Sequence, residues 1–338
     1  MTENSPERVR SEDQFENLAG VPIRAVNTYA RLWLLETWLR ALVYVELRAS
    51  LGDSWSNDLS VNAGSFRSDK SLTHMPTPEM NALSYAPLSK LLELIANNWT
   101  CFAPYLPPKQ LWDAKLQEVS QVRHRVAHFR LGHTDDFGRV MQLLRDIDNG
   151  VWHFCTSYNS YKAVLSSDRD PVAEHFSALD PLPWHEFEPG RWAQFGIRDR
   201  TLSVGVNIRV QRRPWSEPSA SIGSPGTLYD IRLFAQDGRS FNVRRLLEDT
   251  HRLHPHLVHI VLEDENSVRL TIPSVLGSIQ VIDLIDAFYK AGLSNAHFGG
   301  NPAQSLEILA DKWPEYVIGP SNPLSFLDPE MPCSLFCV

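Results

Sequence analysis

Between positions 123 and 130 the chain reads RHRVAHFR, which places Arg123, His124, Arg125, His128 and Arg130 within eight residues. Histidine takes up and releases a proton near neutral pH. Arginine holds phosphate oxygens through a planar fork of donors and stabilises charge that builds on phosphorus. These are the parts needed to drive a 2′-hydroxyl against its own phosphodiester. Two other readings compete. A polar helix face carrying exposed His and Arg needs no chemistry at all. A metal site would use His124 and His128 at i, i+4 with His133 nearby. It lacks the acidic residue of an HExxH pattern and a fixed third ligand. The metal signal is weak, so no metal or other cofactor is expected, and the residues alone leave the polar-face and acid–base readings open.

The segment lies late in a helical pattern that Pro107 and Pro108 open and that runs from Lys109 to Phe129 or Arg130. Val119, Val122, Val126 and Phe129 fall on one stripe at three- and four-residue spacing, so that stripe should face the core. At about 100° per residue, His124 and His128 lie almost opposite the stripe and about 40° apart, whereas Arg123 lies about 140° from His128. A straight helix does not aim both at one point. The length of arginine, a bend, or a second subunit's copy must bring them together.

The elements around this segment are helical up to about residue 161. Residues 23–51 form a long uninterrupted pattern, apolar on nearly every side and stopped by Gly52, as suits the central helix of a bundle. Glu36 and Arg40 are spaced for a local i, i+4 pair. A second helix is expected over 83–102 and a fourth over 136–161. Long helices with short connections predict an antiparallel bundle. Residues 165–190 hold four prolines and no sustained period, and are read as a linker. Beyond them the period changes to two: TLSVGVNIRV, TLYDIRLFA, LVHIVLE and SVRLTI read as strands, with Asp237–Gly238 and 263–266 as turns. VLGSIQVIDLIDAFYKAG reads as a helix with Gly292 just past its end. The expected fold is thus multidomain, α and α+β: an arm over 1–22, an all-α domain over 23–164, the linker, an α+β domain over 191–318, and a Pro-rich tail over 319–338.

The formal net charge of −8 argues against a protein that coats nucleic acid through bulk charge, though not against a local basic cleft. Residues 191–252 carry eleven Arg and six acidic residues, and this basic stretch either meets an RNA, nucleotide or acidic partner or pairs with the acidic remainder of its own domain. The four cysteines, at 101, 155, 333 and 337, lack CxxC spacing, so neither a disulfide framework nor structural zinc is expected. With a polar N-terminus and no apolar run that spans a bilayer, the expectation is a cytoplasmic protein without a membrane partner.

Arg123-His124-x-x-x-His128, late in a helical domain and before its last helix, resembles the R-[N/H/D]-x-x-x-H signature of the HEPN superfamily (higher eukaryote and prokaryote nucleotide-binding domains). LxLLETWLRxLVYVEL, LLELIANNW and LQEVSQVRHRVAHF are similar in order and spacing to bacterial HEPN proteins, and the resemblance covers about residues 24–160. It implies an all-α domain that forms a homodimer, with two motifs lining one cleft. It also implies a metal-independent endoribonuclease leaving 2′,3′-cyclic phosphate and 5′-hydroxyl ends. By that resemblance His128 transfers the proton, Arg123 binds the scissile phosphate, His124 supports Arg123 or touches substrate, and Glu36 is the candidate acidic residue from the first long helix. Arg125 and Arg130 would add positive potential toward RNA. A toxin or abortive-infection effector is the expected role, with an antitoxin or trigger bound by the C-terminal domain. The alternatives are a non-catalytic HEPN domain binding RNA, nucleotide or protein, and a structural protein with a coincidental motif.

Overall fold

A computed structural model describes residues 22–57, 59, 67–69, 71–72, 74, 82–130, 132–194, 202–298, 305–331 and 334–336. The expected N-terminal arm, most of the loop between the first two helices, and Cys333 and Cys337 lie outside the described residues. The protein is mixed α/β, with an N-terminal helical region followed by a mixed sheet.

The helical region holds α1 (Ile23–Leu51), α2 (Leu88–Asn97), α3 (Trp99–Phe102), α4 (Lys109–Ala127) and α5 (Asp136–Tyr158). Where one helix was expected over 83–102, the chain forms a 3₁₀ turn, α2 and α3. Pro87 sets the start of α2, and Asn98 leaves helical geometry while its side-chain amide donates to Leu94 O. α1 is the central rod. From Leu42 to Ala49 every residue is buried, because α2, α4 and α5 surround it and the sheet closes the remaining side. The backbone of α5 passes so near the turn after α3 that a Cβ on Gly150 would sit 1.8 Å from Tyr105 O, so only glycine fits there.

The main sheet joins β1 (Tyr161–Ala163), β4 (Val204–Arg212), β5 (Thr227–Ala235), β8 (Ser267–Pro273), β7 (His259–Asp264) and β10 (Val317–Ile318) in that order. All neighbours are antiparallel except the parallel β7–β10 pair. β2 (Trp184–Glu188) pairs with β3 (Arg191–Gln194), and β6 (Arg239–Phe241) with β9 (Ala296–Phe298). α6 (Pro171–Phe176), α7 (Val243–Thr250) and α8 (Ser278–Asn295) cover one face of the main sheet, and α9 (Leu306–Ala310) and α10 (Pro323–Phe326) follow. Residues 165–190, read as a linker, therefore carry α6 and β2, and Val172 and Phe176 of α6 join the core under the sheet. The Asp237–Gly238 turn has both residues left-handed, but β6 leaves β5 and pairs with β9 instead. Gly292 lies inside α8, packed against Phe241, rather than past its end.

Period-two alternation sorts the sheet's side chains. Val206, Ile208, Val210, Tyr229, Ile231, Leu233, Leu270 and Ile260 point to one face and build the core beneath α6–α8. The opposite face meets the helical region, and much of it is polar. Arg209, Asp230, Thr271 and His259 lie side by side across four strands. Arg209 grips Asp230 with Nη2 at 2.7 Å and Nε at 3.1 Å, and its guanidinium covers the Tyr161 ring at 3.9 Å. Burial pushes the Asp230 carboxyl up to about 7, against the pull of Arg209. Tyr158 of α5 meets His259 Nδ1 at 2.8 Å. The deepest bond lies beside this row. Arg213 donates to Glu46 of α1 at 2.7 and 3.0 Å, and both side chains are fully buried. Tyr105 accepts another Arg213 N–H, and Trp215 Nε1 donates to the second Glu46 oxygen. Gly226, left-handed and against the Trp215 ring, donates its N–H to Ala49 O at the end of α1. Two of the eleven arginines expected to face a partner or the domain's acidic half, Arg209 and Arg213, are thus spent on this internal contact.

The tail is irregular but packed. Phe336 is fully buried in the helical core, its carbonyl accepts from Arg31, and Asp148 accepts the N–H groups of Leu335 and Phe336. No helix among the described residues is long and apolar enough to cross a membrane.

Glu46→Ala leaves the Arg213 charge buried without its partner and should cost about 3–5 kcal/mol in urea unfolding, whereas Glu46→Leu with Arg213→Met should recover most of that. A second expectation concerns His254, buried beneath α8 and held by desolvation at about 4. Its folded value lies below its unfolded value, so the stability it contributes is present above about pH 6.5 and drains away as pH falls toward 4. The fall in stability of His254→Leu over that window should be shallower than wild type by up to about 1.4 kcal/mol per pH unit.

Candidate active site

α4 and α1 cross where Arg123 meets Glu36. Arg123 Nε donates to Glu36 Oε1 at 2.9 Å, and Arg40, one turn further along α1, donates to Oε2 at 2.9 Å. Arg40 is itself fixed by Leu83 O at 3.1 Å. Glu36 is thus a mostly buried carboxylate between two guanidiniums, its side chain 12% exposed. The local Glu36–Arg40 pair expected from spacing forms, and Glu36 also bridges to the other helix. Arg123 uses only Nε in this contact. Its terminal nitrogens have no hydrogen-bond partner among the described residues, and its side chain remains 35% exposed. A guanidinium anchored at Nε with its outer edge open is arranged to take two oxygens of a phosphate.

His124 and His128 meet edge to face with ring centroids 4.4 Å apart, and both are exposed. Partial desolvation, then the charges of His128, Arg130 and Arg123, hold the His124 imidazole below its ordinary value. Those three cations are therefore near enough to disfavour its protonated form. No hydrogen bond joins Arg123 to His128 among the described residues. Arg123 turns toward α1 while the two imidazoles pair with each other, in keeping with the wide angle between positions 123 and 128 on the helix.

α4 stops earlier than its sequence pattern suggested. Ala127 is its last residue and His128 its C-cap. Phe129 takes a left-handed φ of 52°, its N–H reaches Val126 O at 3.1 Å, and the Arg130 N–H reaches back to Arg125 O at 2.9 Å. This is a Schellman ending, with phenylalanine where glycine is usual. Phe129, placed on the core stripe with Val119 and Val122, is instead 99% exposed, because the chain leaves helical geometry one residue before it. No glycine marks this helix end in the sequence.

Arg125 does not face outward alone. Its guanidinium is bonded to both oxygens of Asp136, at the start of α5, with Nε to Oδ2 at 3.1 Å. Burial drives the Asp136 carboxyl up, but Arg125 and the His133 N–H outweigh it and hold it below the ordinary carboxylate range. Arg125 therefore joins α4 to α5. Arg130 is exposed and has no ion pair among the described residues. His133 is drawn to Asp135 and to the Asp136 turn, away from the His124–His128 pair. No group of three metal-ligating side chains occurs among the described residues.

The arrangement offers an anchored guanidinium, two imidazoles in ring contact of which His124 disfavours its protonated form, and an arginine, Arg130, without an ion pair among the described residues. Sequence reasoning did not find Asp136 as the partner of Arg125, although its position in the first turn of the next helix was a usable signal. Replacing His128 with Asn removes one of the charges beside His124, so the His124 pKa should rise toward the ordinary histidine value in an NMR titration, while His133→Asn should leave it in place. No family model, curated protein or solved structure matches this chain.

Proposed function

We propose that the helical region is a HEPN-type domain and that the protein is a metal-independent endoribonuclease acting at the 123–130 segment. One observation carries this reading. Arg123 is clamped by Glu36 from the first long helix and keeps its outer edge open, next to a pair of exposed imidazoles. His128 takes the 2′-hydroxyl proton, the oxygen attacks the adjacent phosphorus, and the bond from phosphorus to the 5′-oxygen breaks, that oxygen taking a proton from water, while His124 supports Arg123 or touches substrate. The products are a 2′,3′-cyclic phosphate and a 5′-hydroxyl. Arg123 binds the phosphate, Glu36 and Arg40 position it, and Arg130 adds charge along the strand. Tyr29 and Trp33, 58% and 60% exposed, continue the line of Glu36 and Arg40 along α1 and supply an apolar face for a second subunit. The role as a toxin or abortive-infection effector, with RNA as substrate and an antitoxin or trigger on the C-terminal layer, extends this reading.

The alternative is a non-catalytic HEPN-type domain that binds RNA, nucleotide or a partner protein, with the C-terminal layer as the specific reader, and for a nucleotide that layer has room. A cavity of about 530 Å³ lies between α6 and the edge of the sheet, lined by Val164, Arg169, Phe176, Asp180, Trp184 and Ile208.

Purified wild type incubated with total RNA in EDTA should cut it and leave 5′-hydroxyl ends. His128→Ala should lose at least a hundredfold of that rate with unchanged thermal unfolding. Cleavage that disappears in EDTA, or that survives His128→Ala, would sink the assignment.

A further inference from the structure

Phe129 combines three properties that rarely occur together. Its side chain is 99% exposed. Its φ of 52° lies in the left-handed region, which is strained for a residue with a side chain. It is also held there firmly, between the Phe129-to-Val126 and Arg130-to-Arg125 backbone bonds. Neither burial nor local geometry accounts for phenylalanine at this position, since glycine would end the helix with less strain and none of the described residues covers the ring. The surroundings are chemically one-sided. From Val119 to Thr134 the chain has no acidic residue, while Arg123, His124, Arg125, His128, Arg130 and His133 all fall in that span. Arg125 is paired with Asp136 and Arg123 through Nε with Glu36, which leaves the open outer edge of Arg123 and the adjacent Arg130 to either side of the aromatic residue in sequence.

An exposed aromatic side chain on a hydrogen-bonded backbone turn, flanked in sequence by cations, is a platform for an unpaired base, with the backbone phosphates on the flanking arginines. We propose that Phe129 stacks on a nucleobase next to the scissile phosphate, so that the site accepts RNA that is single-stranded at the cut and rejects a continuous duplex, whose bases are stacked on one another. This inference rests on the ribonuclease reading and adds to it the strandedness of the substrate and the residue that selects it.

The test uses full-length protein in a His128→Ala background, which binds without turnover, and compares Phe129 with Phe129→Gly and Phe129→Trp. The probes are a short single-stranded RNA and the same sequence as a duplex. Phe129→Gly should weaken single-strand binding by about five- to 100-fold, the range of base–aromatic stacking. It should leave duplex binding and the salt dependence as they were, because the phosphate contacts remain. Its melting temperature should be equal or higher, since the backbone strain is relieved. Phe129→Trp should retain the single-strand preference. Equal single-strand binding by Phe129 and Phe129→Gly overturns the stacking role and leaves the nuclease reading standing, as does a lower melting temperature or a changed oligomeric state in sedimentation, either of which would make Phe129 a packing residue. No RNA bound by any of the three overturns both.

Discussion

The buried pair of Glu46 and Arg213 is the contact on which the architecture turns. A carboxylate and a guanidinium withdrawn from water gain little over an apolar pair of the same size, and each is costly without the other. They therefore enforce one arrangement of sheet against bundle more than they add stability. The remaining hydrogen-bonding capacity is met by Tyr105 and Trp215, so both oxygens of Glu46 are occupied. Around that point the polar sheet face finds its partners: Tyr158 on His259, Tyr44 on Val258 O, Arg48 on Leu257 O and Arg269 on Asn159. The apolar face is covered by α6–α8 mainly through side-chain packing, with one buried hydrogen bond from Tyr229 to Asp170 at the start of α6.

This division explains what the sequence disclosed and what it did not. The all-round apolar pattern of residues 23–51 announced a central helix, because no other environment suits it. The β7–β8 turn was legible from its polar residues between two alternating runs. The arginines of β4 were not legible as internal. An alternating strand with Arg209 and Gln211 on one face, followed at once by Arg213, looks solvated until the facing helix is known to offer Glu46 to Arg213, and that partner lies 167 residues away. The same limit applied to residues 165–190, where proline density marked irregular chain but could not show that Val172 and Phe176 were needed by the second core.

The candidate site was readable in composition but not in geometry. Spacing placed two histidines together and arginine apart from them, and the structure has His124 against His128 and Arg123 turned to α1. Family resemblance pointed to Glu36 as an acidic residue of the site, but its bond to Arg123 was not legible, since nothing local to either residue specifies the other. Phe129 was misread because apolar periodicity continued through it while the helix did not. A helix that ends without glycine gives no warning in its sequence, and the ring's exposure depends on that one change of backbone hand.

α1 carries Glu36 and Glu46 ten residues apart, a span of about 15 Å along one rod. The first engages the arginine of the candidate site, the second the arginine that fixes the sheet. A straight, uninterrupted helix transmits rotation and sliding with little loss, so a ligand that prises the sheet from the bundle must also swing Glu36 relative to α4. The fold thus has a built-in drive shaft: one end gripped by Arg213 beside the sheet, the other by Arg123 of α4. In lineages carrying this fold, residues at the two ends of that shaft would be constrained to change in concert, although they share no contact.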